Sequence, residues 1–154
     1  MMIIEKTIKV DANAQEIWNS VIQIEDIATC IPGIEDVVAV EGDNKYKALA
    51  KEKIGPFKIS LPVELTINEV TFPTMKLFGE GTDKFTKTMV KLDMQLTLEE
   101  QSEKETILII EVDANMKGKL ATLGQGMVNR KFSEKVEAFG ENLAKKLERS
   151  SSNA

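Results

Sequence analysis

From residue 34 to residue 116 apolar and polar side chains alternate with period two, broken by short clusters of Gly, Pro, Asn and Asp. Such alternation marks strands with one face buried and one face in water, and the clusters mark the turns between them. The pattern predicts strands at about 34–41, 45–54, 57–70, 75–85, 87–99 and 106–117. In the third of these, Phe57, Ile59, Leu61, Val63, Leu65 and Ile67 share one face, with Lys58, Ser60, Glu64, Thr66 and Asn68 on the other. Pro62, on the outer face, predicts a bulge or an edge because it cannot donate to a ladder. The last two strands carry inner sets Val90, Leu92, Met94, Leu96, Leu98 and Leu108, Ile110, Val112, Ala114, Met116. Glu41-Gly42-Asp43-Asn44 reads as a hairpin turn, and Gly55-Pro56 and Phe72-Pro73-Thr74 as two more.

Outside this stretch the period lengthens. Residues 2–10, rich in β-branched side chains, predict a first strand. Asp11 or Asn13 then supplies the cap of a helix in which Ile17 and Val21, and Trp18 and Ile22, lie one turn apart. A second short helix over 25–30 ends at Ile31-Pro32-Gly33, where proline disfavours helix in the residue before it. After Gly118 the helical period returns: Phe132, Val136, Phe139, Leu143 and Leu147 form one stripe of about four turns. Gly140 costs that helix about 1 kcal/mol relative to alanine and permits close packing. With no internal repeat and no linker, the chain reads as one domain over 1–149 with a flexible tail over 150–154. Strands gathered in one run between helices indicate an α+β fold with an antiparallel sheet.

Composition removes much chemistry. The 154 residues include no histidine and a single cysteine, Cys30. His-ligated zinc, Ser–His–Asp triads and Cys–His pairs are therefore excluded, and no internal disulfide can form. No secretory signal or run of about 20 apolar residues is present, which predicts a soluble cytoplasmic protein. A formal net charge of −5 argues against nucleic-acid binding. The charge is uneven: from Asn115 onward eight Lys and Arg face four Asp and Glu. This basic end is either a solvated helix face or a surface for transient contact with an anionic membrane.

Small residues interrupt the inner faces. Ala48 and Ala50 lie on the same face as Tyr46 and Glu52, Gly79 and Gly81 on that of Met75 and Leu77, and Ala114 adds another. Together with Met75, Met94, Met116 and Met127 they suit an apolar pocket with few polar anchors, although methionines also fill ordinary cores and glycines also bend sheets. The carboxylates Asp93, Glu111 and Asp113 fall on outer faces and do not form a catalytic pair. Cys30 has no activating partner and reads as packing. Gly118, Gly124 and Gly126 lack the spacing of a phosphate loop. No catalytic residue, metal ligand or cofactor site is expected.

Several stretches carry a family resemblance: Glu16-Ile17-Trp18, Cys30-Ile31-Pro32-Gly33-Ile34-Glu35, Gly42-Asp43-Asn44-Lys45-Tyr46, Gly55-Pro56 and Gly118-Lys119-Leu120-Ala121-Thr122-Leu123-Gly124. In this order, along nearly the whole chain, they resemble the CoxG family, that of the carbon monoxide dehydrogenase G subunit, within the START/polyketide-cyclase (SRPBCC) superfamily. The resemblance implies a helix-grip fold: a seven-stranded antiparallel sheet wrapped around a long C-terminal helix, with two short helices after the first strand. It also implies a cavity for a hydrophobic molecule such as a lipid or quinone, and a non-catalytic accessory role beside a molybdenum-containing dehydrogenase at the inner face of the membrane. Some members carry a C-terminal extension thought to reach the membrane; here the sequence runs only a few residues past Arg149. The expected ligand site places Ile31, Pro32, Leu120, Leu123 and Met127 at its mouth and Met94, Met116 and Phe132 deeper. Two other readings remain: a protein-interaction adaptor with a solid core, and a cyclase or hydrolase using Tyr46 and Glu52.

Overall fold

Seven strands hydrogen-bond into one antiparallel sheet because each carries a single apolar face that needs covering. The computed structural model describes residues 2–40, 42 and 44–152. Strand β1 (Met2–Val10) leads into helices α1 (Ala14–Val21) and α2 (Ile24–Ala28). Six strands follow: β2 (Ile34–Ala39), β3 (Lys45–Ile54), β4 (Phe57–Thr71), β5 (Thr74–Asp83), β6 (Thr88–Ser102) and β7 (Glu105–Lys117). A 3-10 turn over Lys119–Leu123 then enters the long helix α3 (Gln125–Ser152). The strand order is β1-β7-β6-β5-β4-β3-β2, so β2 to β7 form a meander and β1 closes against β7. This is the α+β fold with an antiparallel sheet that the pattern predicted, in the helix-grip arrangement that the family resemblance implied.

Local chemistry explains where elements start and stop. Asn13, one of the two expected caps, accepts from Glu16 N at 2.9 Å and starts α1. Strand β5 ends at Asp83 rather than near 85, because the Asp83 carboxylate turns the chain: it accepts from Phe85 N at 3.2 Å and from Thr86 Oγ1 at 2.7 Å. Helix α2 is shorter than expected, ending at Ala28. Pro62 pairs opposite Leu49 of β3, while β4 meets β5 only from Val63 onward. The proline thus stands where β4 is paired on one side only, a local edge inside the sheet. Glu41 and Asp43 of the expected hairpin turn lie outside the described residues. Helix α3 continues through Ser152, so the expected tail is helical over its first three residues; 153 and 154 lie outside the described residues.

The core lies between α1, α2, α3 and the inner faces of β1, β5, β6 and β7. Val136, Phe139, Leu143 and Leu147 of α3 bury there with Leu108, Ile110 and Val112 of β7, Ile17 and Val21 of α1, and Ile24 and Ile27 of α2. Gly140 lets α3 approach β1: a Cβ there would stand 3.2 Å from Lys6 Cγ and 3.7 Å from Ile110 Cδ1. The amine of Lys6 continues past the glycine to Glu137 at 2.6 Å. Trp18 of α1 meets Phe72 of the β4–β5 turn edge to face at 5.3 Å.

Leu143 is 0% exposed, so Leu143→Ala should lower the unfolding free energy by about 2–5 kcal/mol in urea titration. A loss below about 1 kcal/mol, less than one buried methylene-scale defect, would contradict this placement of the stripe.

Candidate ligand site between the sheet and the last helix

Among the described residues, the buried apolar side chains form two separate clusters. The larger is the core just described; the smaller holds Ile54 of β3, Ile59 of β4 and Leu120 of the 3-10 turn, with Phe57, Met116 and Leu123 packed against it. Between them, on the inner face, Tyr46 and Ala50 of β3, Val63 and Leu65 of β4, and Leu92 of β6 are only half-buried, although they face α3's side of the sheet. Apolar inner-face surface that is only partly covered is a candidate lining for a ligand. The small residues contribute less space than their size suggests. Leu65 Cδ2 stands 3.1 Å from where a Cβ of Gly79 would be, and Val63 and Leu61 crowd Gly81 at 2.9 and 3.1 Å.

The structure spreads the expected ligand residues over both clusters and the surface. Leu120 is fully buried and Leu123 and Met116 pack beside it. Met127 reaches the same place, its Sδ 3.4 Å from the position a Cβ of Gly55 would take, and remains 41% exposed. Ile31, Met94 and Phe132 are half-buried and pack on the larger cluster. Pro32 lies at the surface, and its carbonyl accepts from Lys135 Nζ.

Polar groups fasten the rim. Gly118, at φ 106°, passes so close to Lys87 O that any side chain would collide. Next to it Leu120 N donates to the buried Thr88 Oγ1 at 3.3 Å, and Lys119 N donates to Thr86 O at 3.3 Å. The β5–β6 turn is thereby pinned to the 3-10 turn. Across the opening, Glu52 of β3 pairs with Lys131 at 2.9 Å and with Lys135 of α3. Asn129, one turn before Phe132, holds an amide oxygen that is buried without a hydrogen-bond partner. Lys6 on the inner face, the Glu52–lysine pairing, Asn129 and the Asp83–Thr86–Thr88 cluster were all missed by the pattern. Polar residues at inward positions carry no periodic signal, and their partners are distant in sequence.

The sequence model for the carbon monoxide dehydrogenase G subunit (CoxG) matches residues 7–148. The chain belongs to the CoxG family. A conserved protein from Geobacillus kaustophilus has a similar structure, with a TM-score of 0.84 at 21% identity, covering 97% of both chains. A START superfamily protein from Mycobacterium smegmatis superposes with a TM-score of 0.74 at 15% identity, covering 96% of this chain and 97% of that one. The ZhuI aromatase/cyclase from Streptomyces sp. R1128 gives 0.73 at 13% identity, covering 96% and 94%. At these identities the structures establish the shared helix-grip fold. A comparison with curated protein sequences gives no match.

Elsewhere on this CoxG-family chain the chemistry is sparse. Asp93, Glu111 and Asp113 border a shallow depression of about 350 Å³ on the outer face, which Met94 also lines. Among the described residues no group of three or more His, Cys, Asp or Glu side chains is arranged to hold a metal, and no helix is long and apolar enough to cross a membrane. Cys30 is buried, and that burial pushes its thiol pKa up, away from a reactive thiolate. Its carbonyl accepts from Asn142 Nδ2 at 3.0 Å.

Burial alone would raise the pKa of Glu52, but hydrogen bonds from Lys135 and Lys131 outweigh it and hold the carboxyl below its ordinary 4.5. A depressed folded-state pKa contributes stability that is complete above the ordinary value and is lost as pH falls through the folded value. Wild type and Glu52→Gln should therefore differ by about 1 kcal/mol in urea unfolding at neutral pH, a pair this solvated supporting no more, and converge in acid. A difference that persists unchanged in acid would show that the charge pair is not its source.

Proposed function

We propose that this CoxG-family protein binds a hydrophobic small molecule, lipid-like or quinone-like, between the sheet and α3. In this reading it serves as a non-catalytic accessory and carrier to a carbon monoxide dehydrogenase-type molybdenum enzyme, working from the cytoplasmic side with transient contact to the membrane. One observation carries the reading: half-buried apolar side chains, Tyr46, Val63, Leu65 and Leu92 among them, line the inner face between two sealed clusters. Removing such surface from water supplies about 25 cal/mol per Å² to a ligand that covers it. The buried, unpaired oxygen of Asn129 supports a cargo with one hydrogen-bond donor and an otherwise apolar body. The family name supports the dehydrogenase partner, since the family is described as a subunit of that enzyme.

An enzyme reading draws support from the likeness to an aromatase/cyclase. Against it, Glu52 is already engaged by two lysines, and of the expected ionisable groups only Tyr46 remains beside the gap. A pure adaptor would leave the inner-face surface without a use.

Met94 is half-buried at the boundary of the larger cluster, so Met94→Trp places an indole where the cargo would lie. Titration with a fluorescent fatty-acid probe should show binding by wild type and at least about a tenfold loss in the variant, a change of roughly 1.4 kcal/mol. Cooperative thermal unfolding of the variant confirms its fold. Equal binding by a folded variant would move the cargo away from this part of the sheet.

A further inference from the structure

One end of the molecule gathers exposed lysines around an exposed aromatic ring. Phe85, at the tip of the β5–β6 turn, is 98% exposed. Lys84 and Lys87 flank it, and Lys117 and Lys119 follow at the junction of β7 with the 3-10 turn that this tip is bonded to. Lys53 and Lys58, opposite each other beside the β3–β4 turn, add two more exposed cations at the same end of the sheet. The acidic groups nearby are withdrawn: Asp83 is 4% exposed and spent on its own turn, and Glu52 is paired with Lys131 and Lys135. Glu80, further along β5, lies across the ladder from Lys91.

The turn is built, not loose. The Asp83 carboxylate holds Phe85 N and Thr86 Oγ1, the Thr86 and Thr88 hydroxyls lie 2.7 Å apart, and Thr88 Oγ1 receives Leu120 N. Buried polar groups thus hold in one shape a turn whose single large apolar side chain stands in water.

We infer that this end is the surface by which the protein docks on an anionic lipid bilayer, Phe85 entering the headgroup layer while the lysines face lipid phosphates. The inference rests on the membrane contact proposed above and gives it a place other than the C-terminal helix. Helix α3 carries six basic and four acidic residues, and two of the basic ones, Lys131 and Lys135, are held on the single carboxylate of Glu52. Half of the basic surplus after Asn115 resides in Lys117 and Lys119, at the Phe85 end. An aromatic ring amid lysines suits a bilayer interface. A protein interface instead needs about 800 Å² per partner around a centre depleted of lysine. The β6–β7 hairpin at the far end carries exposed Glu99, Glu100 and Glu103 against one exposed lysine, Lys104, so an anionic surface orients the molecule with the Phe85 end inward. Leu123 and Met127 of the pocket rim lie at that same end, which faces the pocket mouth toward the bilayer.

The test is sedimentation of the intact protein with vesicles of phosphatidylcholine and phosphatidylglycerol, against pure phosphatidylcholine, in low and high salt. Wild type should bind the anionic vesicles and release in high salt. Phe85→Ser and the pair Lys84→Glu, Lys87→Glu should each lose binding, the pair at least tenfold, since each lysine at such a surface contributes about fivefold. Both variants should keep wild-type thermal unfolding and fatty-acid probe binding, because the changed side chains are exposed. Retained vesicle binding in these variants, with loss on reversing Lys145, Lys146 and Arg149, would overturn the inference and leave membrane contact standing. No binding by wild type would overturn both.

Discussion

The lean of α3 toward one side of the sheet is the constraint from which the rest follows. Its apolar stripe needs a partner surface, and Gly140 lets it settle closely on β1 and β7, over the Lys6 stem and Ile110. Phe139, Leu143 and Leu147 seal that side with α1 and α2. A straight helix laid along one edge of a curved sheet cannot also seal the middle strands at the other end. There a second, smaller cluster forms around Leu120, and the apolar surface between the two clusters stays partly open. Loss of apolar burial at about 25 cal/mol per Å² is a real cost to a folded chain, and a ligand that fills the gap offsets it.

Around the gap, polar contacts replace apolar packing. The 3-10 turn is fastened through Thr88 and the Asp83 turn on one side, and α3 is tied to β3 through Glu52 on the other. Such bonds hold loops in register without filling the space beside them. They also place Leu120 and the basic end of the molecule together, so that the proposed cargo binding and the proposed contact with an anionic surface would involve the same hairpins.

The alternation of β4 and the stripe of α3 were legible because burial on one face imposes a period, and the period names the face. Short turns account for the meander of β2 to β7, while the seat of β1 beside β7 carries no such signal. The pocket was less legible. Gly79 and Gly81 suggested empty volume, but the neighbouring β4 side chains Leu65 and Val63 lean over them, a detail of sheet geometry that spacing does not encode. The expected mouth residues scatter: Leu120 turns fully inward, while Pro32 faces out and contributes its carbonyl. Phe85 fell within an expected strand, and only the Asp83 side chain, by ending that strand early, puts the ring at a tip. Family likeness supplied the carrier role; the residues supplied the unsealed inner face.

Native mass spectrometry of the purified protein, followed by organic extraction and identification of anything bound, tests the central claim most directly. A ligand-filled gap predicts a stoichiometric hydrophobic small molecule, either carried through purification or taken up on incubation with lipid and quinone extracts. A bare protein mass in both experiments would contradict a ligand-filled gap between sheet and helix.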